Sequence, residues 1–376
     1  MDRFAPFLAA WRVQRVGPRE MIDAVVAPEH RGPSAELRAA LGDWAGTHYW
    51  LATDRSRLLL LRDGGALPRQ RWLRHGILFL LTVLCALGAG AMLAGAWMPW
   101  SGPGLAGAVA GAVRFLVEVP MGAWREILPG WSFALPLLGI LLCHEFGHYL
   151  TARRYRIDAS LPYFLPVPPP LSPIGSLGAF IRLRSPVLDR RQLLDVGAAG
   201  PIAGFVAAIP VLLWGYAISR PSSGFQLEEG DYVFFAGQLV ALGDSVVTWA
   251  LRHAFFGDAA ALHLSLPAFA GWVGIFVTGL NLLPLSQLDG GHVLYGLLGR
   301  RQAMVGLATV VALFALAQRS PSWYVWVLIA LFLGGGGWSH PAVVAPEWPV
   351  PASRKLIGWI CVALFALTFI PVPFRS

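Results

Sequence analysis

Charged side chains are scarce in this sequence. Asp, Glu, Lys and Arg make up 13% of its 376 residues, whereas about 25% is usual in soluble domains. Hydrophobic residues make up 56%, and the mean hydropathy is +0.58. A soluble globule of this size would lack the polar surface that faces water. The apolar residues also form long runs, and about 20 of them in a row can cross a bilayer core of about 30 Å. The composition therefore predicts a polytopic membrane protein.

Cysteine is also rare, and its positions exclude a disulfide framework. Cys85, Cys143 and Cys361 each lie inside an apolar run, where a free cysteine behaves as a small core residue. The net charge of +8 could suggest nucleic acid as a partner, but no recognition motif accompanies it. The arginines instead gather at the ends of apolar runs, as the positive-inside rule predicts. The partner that this charge indicates is the lipid bilayer.

Residues 1–70 contain no long apolar stretch, which argues against a cleavable signal peptide. Acidic residues are mixed with the arginines there, which argues against an organellar transit peptide and favours a bacterial-type plasma membrane. We expect a small soluble extension with a helix around 33–43. Strand-like runs at 47–53 and 57–62 flank an Asp-Arg-Ser turn. We find no chemistry in this extension and expect a packing or docking module.

The apolar runs predict about seven transmembrane helices in an all-α architecture. Arg69, Arg71 and Arg74 precede the first, which places the N-terminus in the cytoplasm. A Gly-rich stretch at 102–119 is expected to be peripheral. The predicted spans cover residues 77–98, 131–152, 194–218, 267–285, 303–317, 323–336 and 356–370. Beyond the extension, this divides the chain into a first helix with its peripheral segment (71–130), a catalytic core (131–300) and C-terminal helices (301–376).

The segment 157–193 differs from the spans around it. Its many prolines cannot continue a helix, and residues 175–184 alternate as a strand does. A non-helical backbone at membrane depth persists only where protein or a water-filled cavity satisfies its polar groups. We therefore predict a re-entrant, β-hairpin-like loop beside the second span.

The second span carries the motif His144-Glu145-Phe146-Gly147-His148, which matches H-E-x-x-H. Residues four apart share one face of a helix, so both imidazoles can bind one zinc ion. Glu145 can then act as general base for the zinc-bound water. Ionisable residues within a membrane helix are costly and are usually functional, so a buried polar cluster that only serves packing is the weaker interpretation.

A catalytic zinc site needs three protein ligands and one open position. Asp289 is the candidate for the third ligand, because it follows the fourth span near the inner end of the histidine-bearing helix. Pro284 ends that span, and Gly290 and Gly291 permit a tight turn. Asp-Gly-Gly alone would indicate only a turn; together with the upstream motif it indicates a ligand. His292 could support this site or lie on the surface.

With these two motifs, residues 131–300 resemble the site-2 protease family of intramembrane metalloproteases. The second motif is the family's N-x-x-P-x-x-x-L-D-G-G pattern, which runs here from Asn281 through Pro284 to Asp289 and the two glycines. The resemblance takes in residues 175–184 and 199–204 and continues more weakly to His340 and the C-terminal tail. The loop at 219–266 is too short for the PDZ domain of some members, so the branch without PDZ fits best.

This resemblance implies a three-helix catalytic core with zinc held by His144, His148 and Asp289. It also implies that Asn281 contacts the substrate backbone or the developing oxyanion. The expected substrate is a helix of a single-pass or polytopic membrane protein, which must unwind locally to expose a peptide bond. The strand at 175–184 could offer an edge for backbone pairing with such an extended substrate. Its candidate substrate-binding residues are Gly175, Gly178, Ala179 and Phe180.

Two other classes of protein could place His and Asp inside membrane helices. A metal transporter would be expected to repeat such residues along a pathway or to show internal symmetry, and the sequence shows one cluster and no repeat. A catalytically silent, metal-binding scaffold would not need Glu145, which is present. Both alternatives are separable from a protease by replacing Glu145 with Gln.

Overall fold

The computed structural model describes most of the chain. The described residues are 3–16, 19–32, 34–52, 54–63, 70–98, 102, 104–184, 187–221, 229–235, 238–257, 261–333, 338–340, 343–344, 346 and 348–375.

Helices account for most of the described residues. They are α1 (Ala35–Gly42), α2 (Trp72–Leu93), α3 (Gly104–Glu118), α4 (Trp124–Ile127), α5 (Trp131–Arg154), α6 (Arg190–Ile218), α7 (Val246–Phe256), α8 (Leu266–Asn281), α9 (Asp289–Leu298), α10 (Gln302–Ala317), α11 (Ser322–Leu333) and α12 (Ala352–Thr368).

Four helical stretches in the described residues are long and apolar enough to cross a membrane: Trp72–Leu93, Gly104–Arg154, Arg190–Ile218 and Asp289–Ala317. The helix Leu266–Asn281 is apolar but shorter. The expectation of a polytopic membrane protein is thus confirmed, while the finer expectation of seven crossings stays a prediction. The end of the predicted sixth span, residues 334–336, and Arg69 lie outside the described residues.

The strands form three sheets. They are β1 (Leu8–Val16), β2 (Arg19–Val26), β3 (Thr47–Trp50), β4 (Arg57–Asp63), β5 (Tyr163–Pro166), β6 (Ser176–Phe180), β7 (Arg220–Pro221), β8 (Gly230–Phe235), β9 (Gln238–Leu242), β10 (Ala261–His263) and β11 (Phe374–Arg375). The all-α expectation therefore describes the membrane-length segments but not the rest of the chain. Among them, β7, β10 and β11 pair only with strands that are not their neighbours in sequence, which a local sequence pattern cannot reveal.

The central core is formed by α2, α5, α6 and α8. Phe133, Leu137, Leu212 and Trp272 are among its fully buried side chains. The helices α5 and α6 approach closely, since a Cβ added at Gly147 would lie 2.5 Å from the carbonyl oxygen of Ala199. Such a close approach is typical of membrane helices that meet through small residues.

The segment between α5 and α6 forms an antiparallel hairpin. In it, β5 pairs with β6, and the two legs meet again at Ala159 and Leu183. The hairpin is attached to the start of α2, because Gln70 Nε2 donates to the carbonyl oxygen of Ala159 at 2.9 Å and His75 Nδ1 lies 3.1 Å from the carbonyl oxygen of Pro162. The predicted hairpin is therefore present, and its re-entry into a membrane stays a prediction.

The N-terminal residues form a four-stranded sheet in the order β1-β2-β4-β3, with α1 on one face. The predicted helix and the strands β3 and β4 are present; β1 and β2 were not predicted. In β4, Leu58 and Leu60 pack on the α1 side, whereas Leu59 and Leu61 pack with Leu188 just before α6. Because β4 is buried on both faces, this sheet is docked on the helical core.

The strands β7 to β10 follow the C-terminal end of α6 and precede the N-terminal end of α8, and with β11 they form a five-stranded sheet. Its strand order is β11-β9-β8-β10-β7. It brings the C-terminal residues Phe374–Arg375 beside Gln238–Leu242. The helix α7 begins with a capping box between Ser245 and Thr248. The sheet closes over the ends of the core helices.

Candidate metal centre

His144 and His148 lie one turn apart on α5, and Asp289 is the first residue of α9. The loop between α8 and α9 turns sharply enough to bring Asp289 to the histidines. That turn requires glycine after Asp289, since a Cβ at Gly290 or Gly291 would overlap the carbonyl oxygens of Leu282 and Ser286. The sequence pattern Asp-Gly-Gly thus serves both the turn and the site.

The three side chains present their donor atoms to one point. His144 Nε2 lies 3.2 Å from Asp289 Oδ2, His148 Nε2 lies 3.3 Å from Asp289 Oδ1, and the two Nε2 atoms are 3.1 Å apart. Ligands bound tetrahedrally to zinc at about 2.0–2.1 Å are separated by about 3.3 Å. The separation of the two Nε2 atoms, and that of each from its nearer Asp289 oxygen, are therefore close to the spacing of two ligands on one zinc ion.

The hydrogen bonding of His148 also indicates a cation. Its Nδ1 lies 2.7 Å from the carbonyl oxygen of Val196, so Nδ1 carries the hydrogen and donates it. In the neutral imidazole, Nε2 is then an unprotonated acceptor, and it faces the Asp289 carboxylate. Converging lone pairs on buried groups repel each other unless a proton or a metal ion lies between them, and a metal ion can satisfy all three groups at once. A carbonyl that orients a metal-binding histidine in this way is typical of metal sites.

The site is enclosed on the α6 side by glycine. A Cβ at Gly200 would overlap His148 Nε2, and a Cβ at Gly204 would lie 3.0 Å from His144 Nδ1. His144 and His148 are 4% and 6% exposed, so both rings are held between the two helices. Among the residues that the structure describes, this is the group of His, Cys, Asp and Glu side chains that can hold a metal ion.

Glu145 and Asn281 lie at the same site. Glu145 is buried, and the backbone N–H of Ile181, the residue that follows β6, lies close enough to interact with its carboxylate. Asn281, the only asparagine in the chain, ends α8 with its Nδ2 3.3 Å from His144 Nε2. The hairpin and α8 thus each bring a polar group to the histidines. The contact with Ile181 had no signal of its own in the sequence.

The predicted substrate-binding residues lie along the hairpin in different surroundings. Gly175 has φ 75° and is buried against the backbone of Cys85, so it belongs to the turn that leads into β6. Gly178 and Ala179 are partly exposed in β6, and Phe180 is exposed and stacks on Tyr163 at 5.6 Å. The part of the predicted strand that is open to a ligand is therefore its second half.

His292 is placed one turn after Asp289 on α9 and contacts His340, with Nδ1 2.8 Å from Nε2. A Cβ at Gly197 would lie 2.6 Å from the Cβ of His292. Of the two alternatives left open by the sequence, the position beside the site is the observed one.

Membrane-length helices that enclose a His-His-Asp donor set with a glutamate beside it define a membrane-embedded metallohydrolase type of site. Residues 132–317 match the sequence profile of Peptidase family M50, so this part of the chain is a domain of that family. It is 30% identical over 293 residues to the "Probable zinc metalloprotease EGY2, chloroplastic" of Arabidopsis thaliana, which covers 73% of this chain and 49% of the relative. It is 31% identical over 257 residues to the "Probable zinc metalloprotease EGY1, chloroplastic" of the same plant. That match covers 65% of this chain and 44% of the relative.

The chain thus spans about half the length of the curated relatives that it matches. No solved structure matches it.

Proposed function

We propose that this protein is an intramembrane zinc metalloprotease that hydrolyses a peptide bond within or next to a transmembrane helix of another membrane protein. The observation that carries this proposal is that the Nε2 atoms of His144 and His148, 3.1 Å apart, both face the Asp289 carboxylate, with Oδ2 at 3.2 Å from the first and Oδ1 at 3.3 Å from the second. Glu145 lies next to the first of these ligands in the sequence. Membership of a peptidase family and two relatives named as probable zinc metalloproteases support it.

The roles of the residues follow from their chemistry. His144, His148 and Asp289 hold the zinc ion, which when bound supplies Lewis acidity that acidifies water and polarises a peptide carbonyl. Glu145 takes the proton from the attacking water and delivers it to the leaving amine. The nearby Ile181 N–H can stabilise the Glu145 carboxylate on the side of the hairpin, where the substrate would lie.

Asn281 and β6 are proposed to hold the substrate. The Asn281 amide can donate to a substrate carbonyl or to the oxyanion that develops from it. The strand β6 pairs on one edge with β5, so its other edge can pair with the backbone of an unwound substrate. Gly178, Ala179 and Phe180 would line that contact, with Gly175 forming the turn that positions them.

The membrane placement is proposed from the charges and the helix directions. About seven crossings, a three-helix core, a re-entrant hairpin and a cytoplasmic N-terminus place the metal centre near the cytoplasmic side. A bacterial-type plasma membrane is proposed from the sequence, whereas the relatives are named chloroplastic. The proposed domains are the N-terminal extension (1–70), the first helix with its peripheral segment (71–130), the catalytic core (131–300) and the C-terminal helices (301–376). Reporter fusions after α5 and after α8, which should both be cytoplasmic, test this orientation.

Co-expression with a tagged reporter tests the activity. The reporter has one transmembrane helix interrupted by glycine and proline, and its fragments are sized on a gel. The native chain should release a shortened fragment, and Glu145→Gln should release none while retaining zinc. Glu118→Gln, on the exposed side of α3, is the matched control and should cleave normally. Equal cleavage by Glu145→Gln would overturn the proposal.

The same variant separates the alternatives. A transporter would keep metal uptake after Glu145→Gln, and a silent scaffold would show no cleavage before or after the change.

A further inference from the structure

A short segment outside the family match contacts the chain on both sides of Asp289. This segment, residues 338–340, is called the strap here. It lies against the loop that precedes Asp289 and against α9, which follows it. These contacts involve a buried glutamine, a buried serine and a pair of histidines.

Gln302, the first residue of α10, joins the strap to the loop. Its side chain is 1% exposed, and all its hydrogen bonds go to backbone atoms of the two segments. Gln302 Nε2 donates to the carbonyl oxygens of Pro284 at 3.0 Å and Trp338 at 3.1 Å, and Oε1 accepts from the backbone N–H of His340 at 2.9 Å. One amide thus holds the loop and the strap together.

The loop makes a second set of bonds with the strap. The backbone N–H of Ser286 donates to the carbonyl oxygen of Trp338 at 3.2 Å. The Ser286 hydroxyl donates to the carbonyl oxygen of Ser339 at 3.4 Å. Ser286 has φ 38°, a conformation that costs a non-glycine residue free energy and that needs support from its surroundings. The strap gives that support three residues before Asp289.

The strap also contacts α9 after the ligand. His340 Nε2 lies 2.8 Å from His292 Nδ1, and its ring packs on Tyr295 with centroids 4.8 Å apart. The sequence makes room for these contacts, since a Cβ at Gly306 would lie 2.5 Å from the Trp338 carbonyl oxygen and 3.2 Å from Gln302 Nε2. The strap therefore holds the loop before Asp289 and the helix α9 after it.

We propose that Gln302 and His340 are positioning residues that hold Asp289 in the geometry required to bind zinc. The hydrogen bonds of the two side chains go to the loop, the strap and His292 and not to Asp289, so they act through the loop and through His292. Groups that orient a metal ligand from outside typically change metal affinity by about 10–100-fold when they are removed. The inference rests on the proposed zinc site and deepens it.

Zinc affinity measured by chelator competition on the full-length protein in detergent tests the proposal. Gln302→Leu and His340→Ala are each expected to weaken zinc binding about tenfold or more. They should also shift the visible absorption bands of the cobalt-substituted protein, a signature of ligand geometry that a loss of stability alone does not move. Thr309→Val, which removes the bond to the carbonyl oxygen of Val305 on the same helix α10, is the matched control and should change neither.

Native zinc affinity and an unchanged cobalt spectrum in Gln302→Leu would overturn the proposal. If Gln302→Leu fails to fold, Gln302→Glu makes the same comparison, because it keeps the acceptor for His340 and loses both donated bonds. If the native chain itself binds no zinc, the proposed function fails with the inference. If the native chain binds zinc and the variants bind it equally well, only the strap proposal fails.

Discussion

Gly200 on α6 lies directly against the imidazole of His148 on α5, and a Cβ at this position would overlap the ring nitrogen that points to Asp289. The same helix face carries Gly204, where a Cβ would lie 3.0 Å from His144 Nδ1. Two glycines one turn apart therefore set how closely α6 covers the metal centre.

Gly200→Ala should displace His148 and weaken zinc binding by about a hundredfold, because the methyl group and the ring cannot occupy the same space. Gly204→Ala should have a smaller effect, since its contact requires a shift of a few tenths of an ångström. Gly139→Ala on α5 is the control, as nothing lies within 4 Å of a Cβ there. Zinc content after dialysis against a chelator measures all three, and normal zinc binding by Gly200→Ala would contradict the prediction.

Asn281→Ala should lower the rate of reporter cleavage by about 10²–10³-fold, the range found when a single oxyanion donor is removed. Zinc binding should remain, because the amide is not one of the three ligands. Thr278→Val, one turn earlier on α8, loses a bond to the Gly274 carbonyl oxygen and should leave cleavage near the native rate. Loss of zinc from Asn281→Ala would instead indicate a role in holding the metal centre together.

Ile181→Pro removes the N–H that lies near the Glu145 carboxylate. We expect slower cleavage with zinc retained, because the carboxylate then loses this favourable interaction. Ile181→Val keeps the N–H and is the control. Cleavage and zinc content are measured side by side, and equal cleavage by the proline and valine variants would show that this contact does not serve the base.

The five-stranded sheet contains a buried carboxylate, Asp231 in β8. Burial, and to a smaller extent the nearby Asp244 carboxylate, raises the pKa of Asp231 to about 7. The Tyr216 hydroxyl, Arg252 and Arg375 lower this pKa but do not cancel the effect of burial. The folded chain therefore keeps this proton up to about pH 7, whereas the unfolded chain releases it near about pH 3.9. Unfolding thus releases a proton in this window, and the contribution of Asp231 to stability falls as the pH rises through it.

Asp231→Asn should remove this pH dependence. The difference in melting temperature between the variant and the native protein, variant minus native, should increase from about pH 5 to about pH 8. Glu29→Gln, at an exposed position in the N-terminal region, is the control and should give a constant difference. A constant difference for Asp231→Asn would mean that the carboxyl is already ionised at the lower pH.

Local patterns in the sequence were sufficient for several elements. The run from Trp131 to Arg154 is a single helix, because apolar residues fill it and arginines end it. The strands β3 and β4 flank the predicted turn at Asp54 because their partners are neighbours in sequence. The strand β11 was not predicted, because it pairs with β9, more than a hundred residues earlier in the chain, and such pairing leaves no periodic signal. The strands β1 and β2 were also not predicted, although they are neighbours in sequence.

The sequence by itself determined which residues carry the chemistry: the spacing of His144 and His148 on one helix face and the Asp-Gly-Gly turn at Asp289 are local properties. Only the tertiary structure decided what surrounds them. The carbonyl of Val196, the N–H of Ile181 and the strap at 338–340 reach the site through distant parts of the chain. Backbone groups are the same in every residue, so their role at a site depends on how the helices pack and not on which amino acids carry them.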